Sequence, residues 1–344
     1  MRFYNTRKSR IAILPAPTFS TSAQADDPPQ QGVQVSSSTP VPKTDLLRWL
    51  SAEEEWSARN PKLSPDGSQI IFVVSARSTA HFSASKLLCA PWPKGPASAA
   101  EILRTRTILD IVDVPESPDD FPGLFLAAEQ LPRRVWLADS RRIVLHSDWR
   151  SRRELVVIDT DKEGPSAVER VRLSTPELDQ GSWVLIDVAG THLLAAHSSP
   201  SRAPTAHVVQ LPSVASDGAG GCVVAEKQWE LVGPESEGAK LLEGIEWTVL
   251  PVRARDCQQG MEGLYDAILL EPAEAKQKAV NGSGPKIPLI AYPHGGPHSN
   301  QGAEHYAACA ILVLQGYSVL LVNYRGSTGY GQAQVSVKIM QARK

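Results

Sequence analysis

Two short segments of this 344-residue chain carry residue types that could do chemistry. They are His294-Gly295-Gly296-Pro297 and Asn323-Tyr324-Arg325-Gly326-Ser327-Thr328-Gly329-Tyr330-Gly331. Adjacent glycines have no Cβ, so a ligand can come close to the main chain and meet its N–H groups. Such a loop can donate to an oxyanion developing in a reaction. Taken alone, His-Gly-Gly reads equally well as a tight turn without chemistry. Each segment follows a short apolar run, Ile287 to Tyr292 and Tyr317 to Asn323, and the residues between the runs have helical spacing. Runs of this length, bounded by Pro and Gly, suit strands buried on both faces. Strand, helix and strand in this order predict a βαβ unit within a parallel sheet. Both segments then lie outside the carboxyl ends of the strands, where open α/β sheets bind ligands.

The pairing of HGGPH with NYRGSTGYG at this separation is far more specific than either piece. It resembles the start of the catalytic domain in the prolyl oligopeptidase family of serine peptidases, on its acylaminoacyl-peptidase branch. The similarity continues upstream through Tyr265-Asp266-Ala267-Ile268-Leu269-Leu270 and covers the chain from about Asn60 to Gln332. The resemblance implies a β plus α/β fold: a partial β-propeller followed by the N-terminal part of an α/β-hydrolase domain. It implies acyl transfer through a serine, releasing N-acylated amino acids from blocked peptide N-termini without a cofactor or metal. Short N-acylated peptides are the implied substrates of full-length relatives, with no nucleic-acid or membrane partner. His294, Gly295, Gly296 and Pro297 are the implied oxyanion-hole loop, with the Gly296 N–H as donor and His294 bracing the loop. Such a donor contributes on the order of 3 kcal/mol to transition-state binding. Tyr324, Arg325 and Gly326 are the implied supports.

The pattern then stops. After Gly331-Gln332 only AQVSVKIMQARK remains, and the sequence contains no Gly-x-Ser-x-Gly. Gly326-Ser327-Thr328-Gly329 has the wrong spacing for that elbow. The order Ser, Asp, His that this fold requires has no residues to fall on. The expectation is a chain without a triad, inactive alone, a fragment or regulatory truncated isoform of a serine hydrolase. The alternative is a non-catalytic β-propeller interaction protein, acting as a homo-oligomer or beside a full-length subunit. A strand as apolar as Tyr317 to Asn323 needs neighbours on both edges and cover on both faces. Stopping soon after it predicts an open edge and marginal stability in the C-terminal part.

Composition bounds the rest. An apolar fraction of 42 % supports globular cores, and a net charge of −2 argues against general nucleic-acid or membrane-surface binding. The longest apolar stretch, Ala307 to Val322, is broken by Gln315 and Gly316 and is too short for a membrane span. Cys89, Cys222, Cys257 and Cys309 are scattered and form no CxxC pair. That pattern fits a reducing compartment, hence the cytoplasm.

Residues 1–43, rich in Ser, Thr, Pro and Gln, read as a disordered leader. Residues 44–59 read as a short helix, with Leu46, Leu47 and Leu50 opposite Glu53, Glu54 and Glu55. Residues 60–235 read as the partial propeller, with room for three or four blades of roughly 40 to 50 residues. Its repeat signal is a turn before a strand. Ser64-Pro65-Asp66-Gly67 precedes Ile70 to Val73, Ala138-Asp139-Ser140 precedes Ile143 to Leu145, and Val188-Ala189-Gly190 precedes Leu193 to Ala195. Residues 240–344 read as the incomplete hydrolase domain, opened by an antiparallel pair at Ile245 to Leu250 and Leu264 to Leu270. Trp136, Trp149, Trp183 and Trp247 suit core packing. Arg150, Arg152, Arg153 and Glu154 read as a solvated loop, and His298 and His305 as surface or helix-edge residues.

Overall fold

The structure, a computed structural model, describes residues 12–13, 48–49, 56–76, 82–92, 105–126, 131–171, 178, 180–211, 229–234, 238–252, 265–274, 286–296 and 298–336. A two-stranded ribbon pairs β1 (Ala12–Ile13) with β2 (Arg48–Trp49). Three antiparallel sheets follow, each with its strands adjacent in chain order. The first holds β3 (Trp56–Leu63), β4 (Gln69–Ala76), β5 (Lys86–Pro91) and β6 (Arg106–Leu109). The second holds β7 (Arg142–Trp149), β8 (Arg152–Asp159) and β9 (Val168–Arg170). The third holds β10 (Ser182–Ala189), β11 (His192–Ser199), β12 (Arg202–Gln210) and β13 (Glu230–Val232).

The middle sheet explains how the three stack. Ile143, Leu145, Val156 and Ile158 point into a core shared with Ile71, Val73, Leu87 and Ile108 of the first sheet. Their neighbours Val144, Leu155 and Val157 point into a second core with Trp183, Leu185, Leu193 and Val209 of the third sheet. Side chains alternate across a strand, so one run of apolar residues fills both cores. All eight residues of β7 are accordingly buried. Face-to-face stacking of meandering sheets is the arrangement of propeller blades.

The three repeated turns also meet. Gly67, Ser140 and Gly190 share the left-handed backbone, with φ of 68°, 55° and 63°. Asp66 closes the first turn by accepting from the Ser64 hydroxyl at 2.6 Å and the Ser68 N–H at 3.0 Å. The Asp66 N–H donates onward to the Ser140 hydroxyl at 3.1 Å, and the Ala138 N–H donates to the Gly190 carbonyl at 3.0 Å.

The last sheet is mixed, in the order β14-β15-β17-β16. A one-turn helix α1 (Ala239–Leu242) leads into β14 (Ile245–Val252), which pairs antiparallel with β15 (Tyr265–Pro272) as its sequence suggests. β16 (Leu289–Pro293), α2 (Ala307–Leu314) and β17 (Ser318–Val322) form the expected βαβ unit, with β16 and β17 parallel. Helix α2 ends on Gly316 at φ 93°; the Gly316 N–H donates to the Val313 carbonyl and the Tyr317 N–H to that of Leu312. This is the Schellman stop, which favours a residue without a Cβ. Cys309, Ala310 and Val313 bury against Val319, Leu321, Ile268 and Leu270. A single-turn helix, α3 (Gln332–Val335), closes the described chain. Among the described residues no helix is long and apolar enough to cross a membrane.

Three expectations about these elements need correction. The described part of the 44–59 helix is strand: Arg48 and Trp49 lie in β2, and Trp56 to Arg59 open β3. Pairing with β4, Trp56 opposite Ala76 and Ala58 opposite Val74, outweighs the helical spacing. The strand near Ile287 to Tyr292 is not buried on both faces. β16 is the sheet edge, with Leu289 58 % and Tyr292 45 % exposed. The open edge therefore lies at β16, whereas β17 has neighbours on both sides. Within the leader read as disordered, Ala12 and Ile13 are instead strand, paired with β2; the rest of it lies outside the described residues.

The third sheet buries two imidazoles, His197 and His207, against Trp183. Burial pushes the pKa of His197 from 6.5 down to about 4. An unfolded chain takes up that proton below pH 6.5 while the folded chain resists it until about pH 4. Stability should thus be unaffected by His197 above pH 6.5 and decline as pH falls toward 4, by ~3 kcal/mol in total. Urea unfolding followed by tryptophan fluorescence at pH 7.5 and pH 4.5 should show this loss, and His197→Gln should reduce it.

Candidate functional site

The parallel register decides where the two glycine-rich loops emerge. Leu289 pairs with Ser318 and Pro293 with Val322, so both strands end at one edge. The 294–300 loop leaves β16 there and the 323–331 loop leaves β17 beside it. Tyr324 joins them: its hydroxyl donates to the His294 carbonyl at 2.6 Å, and its ring stacks on the imidazole at 4.3 Å between centroids.

The glycines have different roles. Gly296 has φ of 135°, and a Cβ there would stand 2.7 Å from the His298 backbone nitrogen. Gly295 is exposed and a Cβ would meet nothing within 4 Å. Conformation therefore requires glycine at 296, whereas Gly295 leaves the approach open. Pro297 lies outside the described residues. Gly326 is buried with φ of 110°, and Arg325 is exposed. Of the three residues expected to support the loop, Tyr324 is bonded to it through its hydroxyl.

Sequence reasoning missed the partner of His294. Its Nε2 lies 2.7 Å from the Ser327 hydroxyl, and its Nδ1 lies 2.9 Å from the Gly295 carbonyl. The Ser327 hydroxyl also lies 2.6 Å from the Tyr324 carbonyl. These three contacts need three protons, and a neutral imidazole with one hydroxyl has two. The imidazolium would supply the third, but burial lowers the His294 pKa below 6.5, the Gly295 carbonyl opposing this in part. At neutral pH one of the contacts is left without its proton.

A serine and histidine in contact beside paired glycines could be mistaken for a nucleophile and base. Two facts argue otherwise. Ser327 is 1 % exposed, so a substrate carbonyl cannot reach it. The atom behind the imidazole is a backbone carbonyl, where a triad places a carboxylate. The pair links the loop after β16 to the loop after β17.

Beneath the loops lies a polar cluster that overturns the solvated reading of Arg150. Its guanidinium is bidentate to Asp266 on β15, with Nη2 at 2.6 Å from Oδ1 and Nε at 3.0 Å from Oδ2. Oδ2 also accepts from the Ser151 hydroxyl at 3.1 Å and the Tyr330 hydroxyl at 3.3 Å. Burial opposes the charge on Arg150, but bonding to Asp266 raises its pKa above the usual guanidinium value. Burial and the Asp266 charge together push the Tyr330 phenol well above 10. Arg153 also turns inward, toward Asp148 at 3.4 Å. The available signal was Asp266, a charged residue within an apolar strand. His298 and His305 flank the site half-buried, and burial lowers the His305 pKa.

Residues 25–220 match the family described as acylamino-acid-releasing enzyme, N-terminal domain. The chain is 30 % identical over 289 residues to the acylamino-acid-releasing enzyme of Homo sapiens, covering 83 % of this chain and 35 % of that protein. It therefore spans about a third of the length of this curated relative. Among solved structures, a puromycin hydrolase mutant complexed with PGG superimposes with a TM-score of 0.51 at 19 % identity, over 85 % of this chain and 45 % of the other. The Pyrococcus horikoshii acylaminoacyl peptidase gives 0.51 at 15 % identity, over 84 % and 35 %. At these identities the likeness shows the fold: a partial β-propeller followed by the N-terminal part of an α/β-hydrolase sheet.

The two glycines should respond differently to alanine. Gly296→Ala should cost about 1–3 kcal/mol through backbone strain and the contact with His298. Gly295→Ala should stay within about 0.5 kcal/mol of the parent. Equilibrium denaturation of both variants checks this.

Proposed function

The chain belongs to the acylamino-acid-releasing enzyme N-terminal-domain family, and from that premise we propose that it builds the propeller and oxyanion-loop side of an acyl-transfer site. In this proposal residues 60–235 are the propeller part and residues 240–344 the hydrolase part. The activity served is release of N-acylated amino acids from the blocked ends of short peptides. His294, Gly295 and Gly296, with Pro297, are the oxyanion loop, and Tyr324, Arg325 and Gly326 frame it. One observation carries the proposal: the parallel β16–β17 pair brings the His294–Gly296 loop and the 323–331 loop to one carboxyl edge, tied by the Tyr324 hydroxyl. Main-chain donors fixed there meet developing negative charge without reorganising, which is what such catalysis requires.

These 344 residues present no Gly-x-Ser-x-Gly, and Ser327 is sealed from solvent. The chain by itself therefore performs no acyl transfer in this proposal. We place it in the cytoplasm; the buried free thiols of Cys89 and Cys309 support a reducing compartment.

A second reading, an interaction protein, is favoured by the β16 edge and the outer face of α2. Leu289, Tyr292, Ile311, Leu314 and Tyr317 are between 40 % and 60 % exposed there. A second copy or a longer relative would cover such a surface.

A fluorophosphonate probe tests the claim that the chain alone has no reactive serine. No labelling is expected of the purified chain, and no hydrolysis of an N-acetylated dipeptide. Stoichiometric labelling that Ser327→Ala abolishes would overturn the claim that this serine is structural.

A further inference from the structure

The two loops at the carboxyl edge do not rest on each other alone. Both are bonded to the tip of the β7–β8 hairpin, which belongs to the second propeller-type sheet. The Arg150 N–H donates to the Gly329 carbonyl at 2.8 Å. The Thr328 hydroxyl donates to Asp148 Oδ2 at 2.8 Å. The Asn300 amide donates to both the Arg150 and the Thr328 carbonyls, each at 2.7 Å. The Ala303 N–H donates to the Ser151 carbonyl at 2.7 Å. Residues 148–151 thus bond the 294–303 segment on one side and the 328–330 segment on the other. Gly329 permits the approach: a Cβ there would stand 3.0 Å from the Arg150 nitrogen.

The hairpin tip is itself anchored in the sheet. The Arg150 guanidinium grips Asp266, and it lies over the Tyr330 ring at 5.6 Å. Asn323 Nδ2 reaches the Ser151 hydroxyl at 3.3 Å, while Asn323 Oδ1 accepts from the Gln301 N–H at 2.8 Å. From Thr328 the path to the glycine loop is one residue long. Ser327 precedes it, and its hydroxyl contacts the His294 imidazole.

We propose that Arg150 is a positioning residue: seated on Asp266, the β7–β8 hairpin sets the 328–330 segment, and that segment sets His294 and its glycines through Ser327. The orientation of the main-chain donors is thereby controlled from the propeller. The proposal deepens the oxyanion-loop reading and rests on it for its catalytic meaning. Its test observes His294 directly and requires no activity, so the two can fail separately.

The experiment uses the full 344-residue chain with 15N-labelled histidine. Long-range proton–nitrogen spectra follow the His294 ring, assigned with His294→Gln, and hydrogen exchange follows residues 294–299. In the parent, His294 titrates below 6.5. In Arg150→Ala the loop loosens and the ring gains water, so its pKa should rise toward 6.5. Exchange at 294–299 should quicken about tenfold, while amides of β4 and β5 stay as in the parent. Ser327→Ala should reproduce the His294 change with the hairpin intact. Arg134→Ala, which removes the exposed pair with Asp187, should leave His294 unchanged. If Arg150→Ala does not melt cooperatively, Thr328→Val replaces it. That variant keeps the shape, loses the single bond to Asp148, and should give the same changes at smaller amplitude. A folded Arg150→Ala or Thr328→Val chain whose His294 titrates and exchanges like the parent overturns the proposal.

Discussion

The arrangement of the site depends on one pair of charges taken out of water. The side chains of Arg150 and Asp266 are 17 % and 6 % exposed. Removing such ions from solvent costs several kcal/mol each, and their attraction repays this only when geometry and further hydrogen bonds are good. Here the fork is bidentate, and Ser151 and Tyr330 donate to the same carboxylate. The net gain from such a pair is small, yet half of it alone would be a buried, uncompensated charge. The pair therefore fixes where the hairpin sits on the sheet more than how tightly. Arg150 also holds a left-handed backbone with φ of 55°, a conformation that costs a side-chain-bearing residue ~1–2 kcal/mol. The contacts on both of its sides offset that strain.

Much of the fold was legible because the chain states it locally. The turn before each blade strand, the β14–β15 pair and the βαβ unit all follow from turn chemistry and periodicity. The buried run Ile143 to Leu145 follows from a sheet covered on both faces. What failed depended on distant partners. Leu46, Leu47 and Leu50 have helical spacing, but β4 claims Trp56 to Arg59 for a sheet. An apolar run does not reveal whether its strand is central or marginal, and β16 and β17 read alike. An arginine within Trp-Arg-Ser-Arg-Arg-Glu looks solvated until the carboxylate 116 residues away is brought beside it.

The site was half legible for a related reason. Residue types and spacing identified the His-Gly-Gly loop and its companion, since backbone needs are written in glycines. The bracing was hidden. Ser327 lies within the Asn323 to Gly331 segment, where type and spacing speak only to its fitness as a nucleophile. Its contact with His294 is set by sheet register, through the offset that places Pro293 opposite Val322. Asn300, Thr328 and Tyr330 are polar residues of ordinary type, and their bonds to Arg150, Asp148 and Ser151 exist only because a hairpin from another sheet arrives between the loops.

The row of left-handed turns has a directional grammar. The first two turns each hand an N–H to the one that follows, Asp66 to the Ser140 hydroxyl and Ala138 to the Gly190 carbonyl, so the units relate head to tail without a two-fold axis. A row of links that all run in one direction has no preferred length, and units can be gained or lost by duplication without reversing a junction. Only curvature decides whether such a row closes into a ring. Blade number is then a variable that descendants of one ancestor can change while the direction of the joint stays constant.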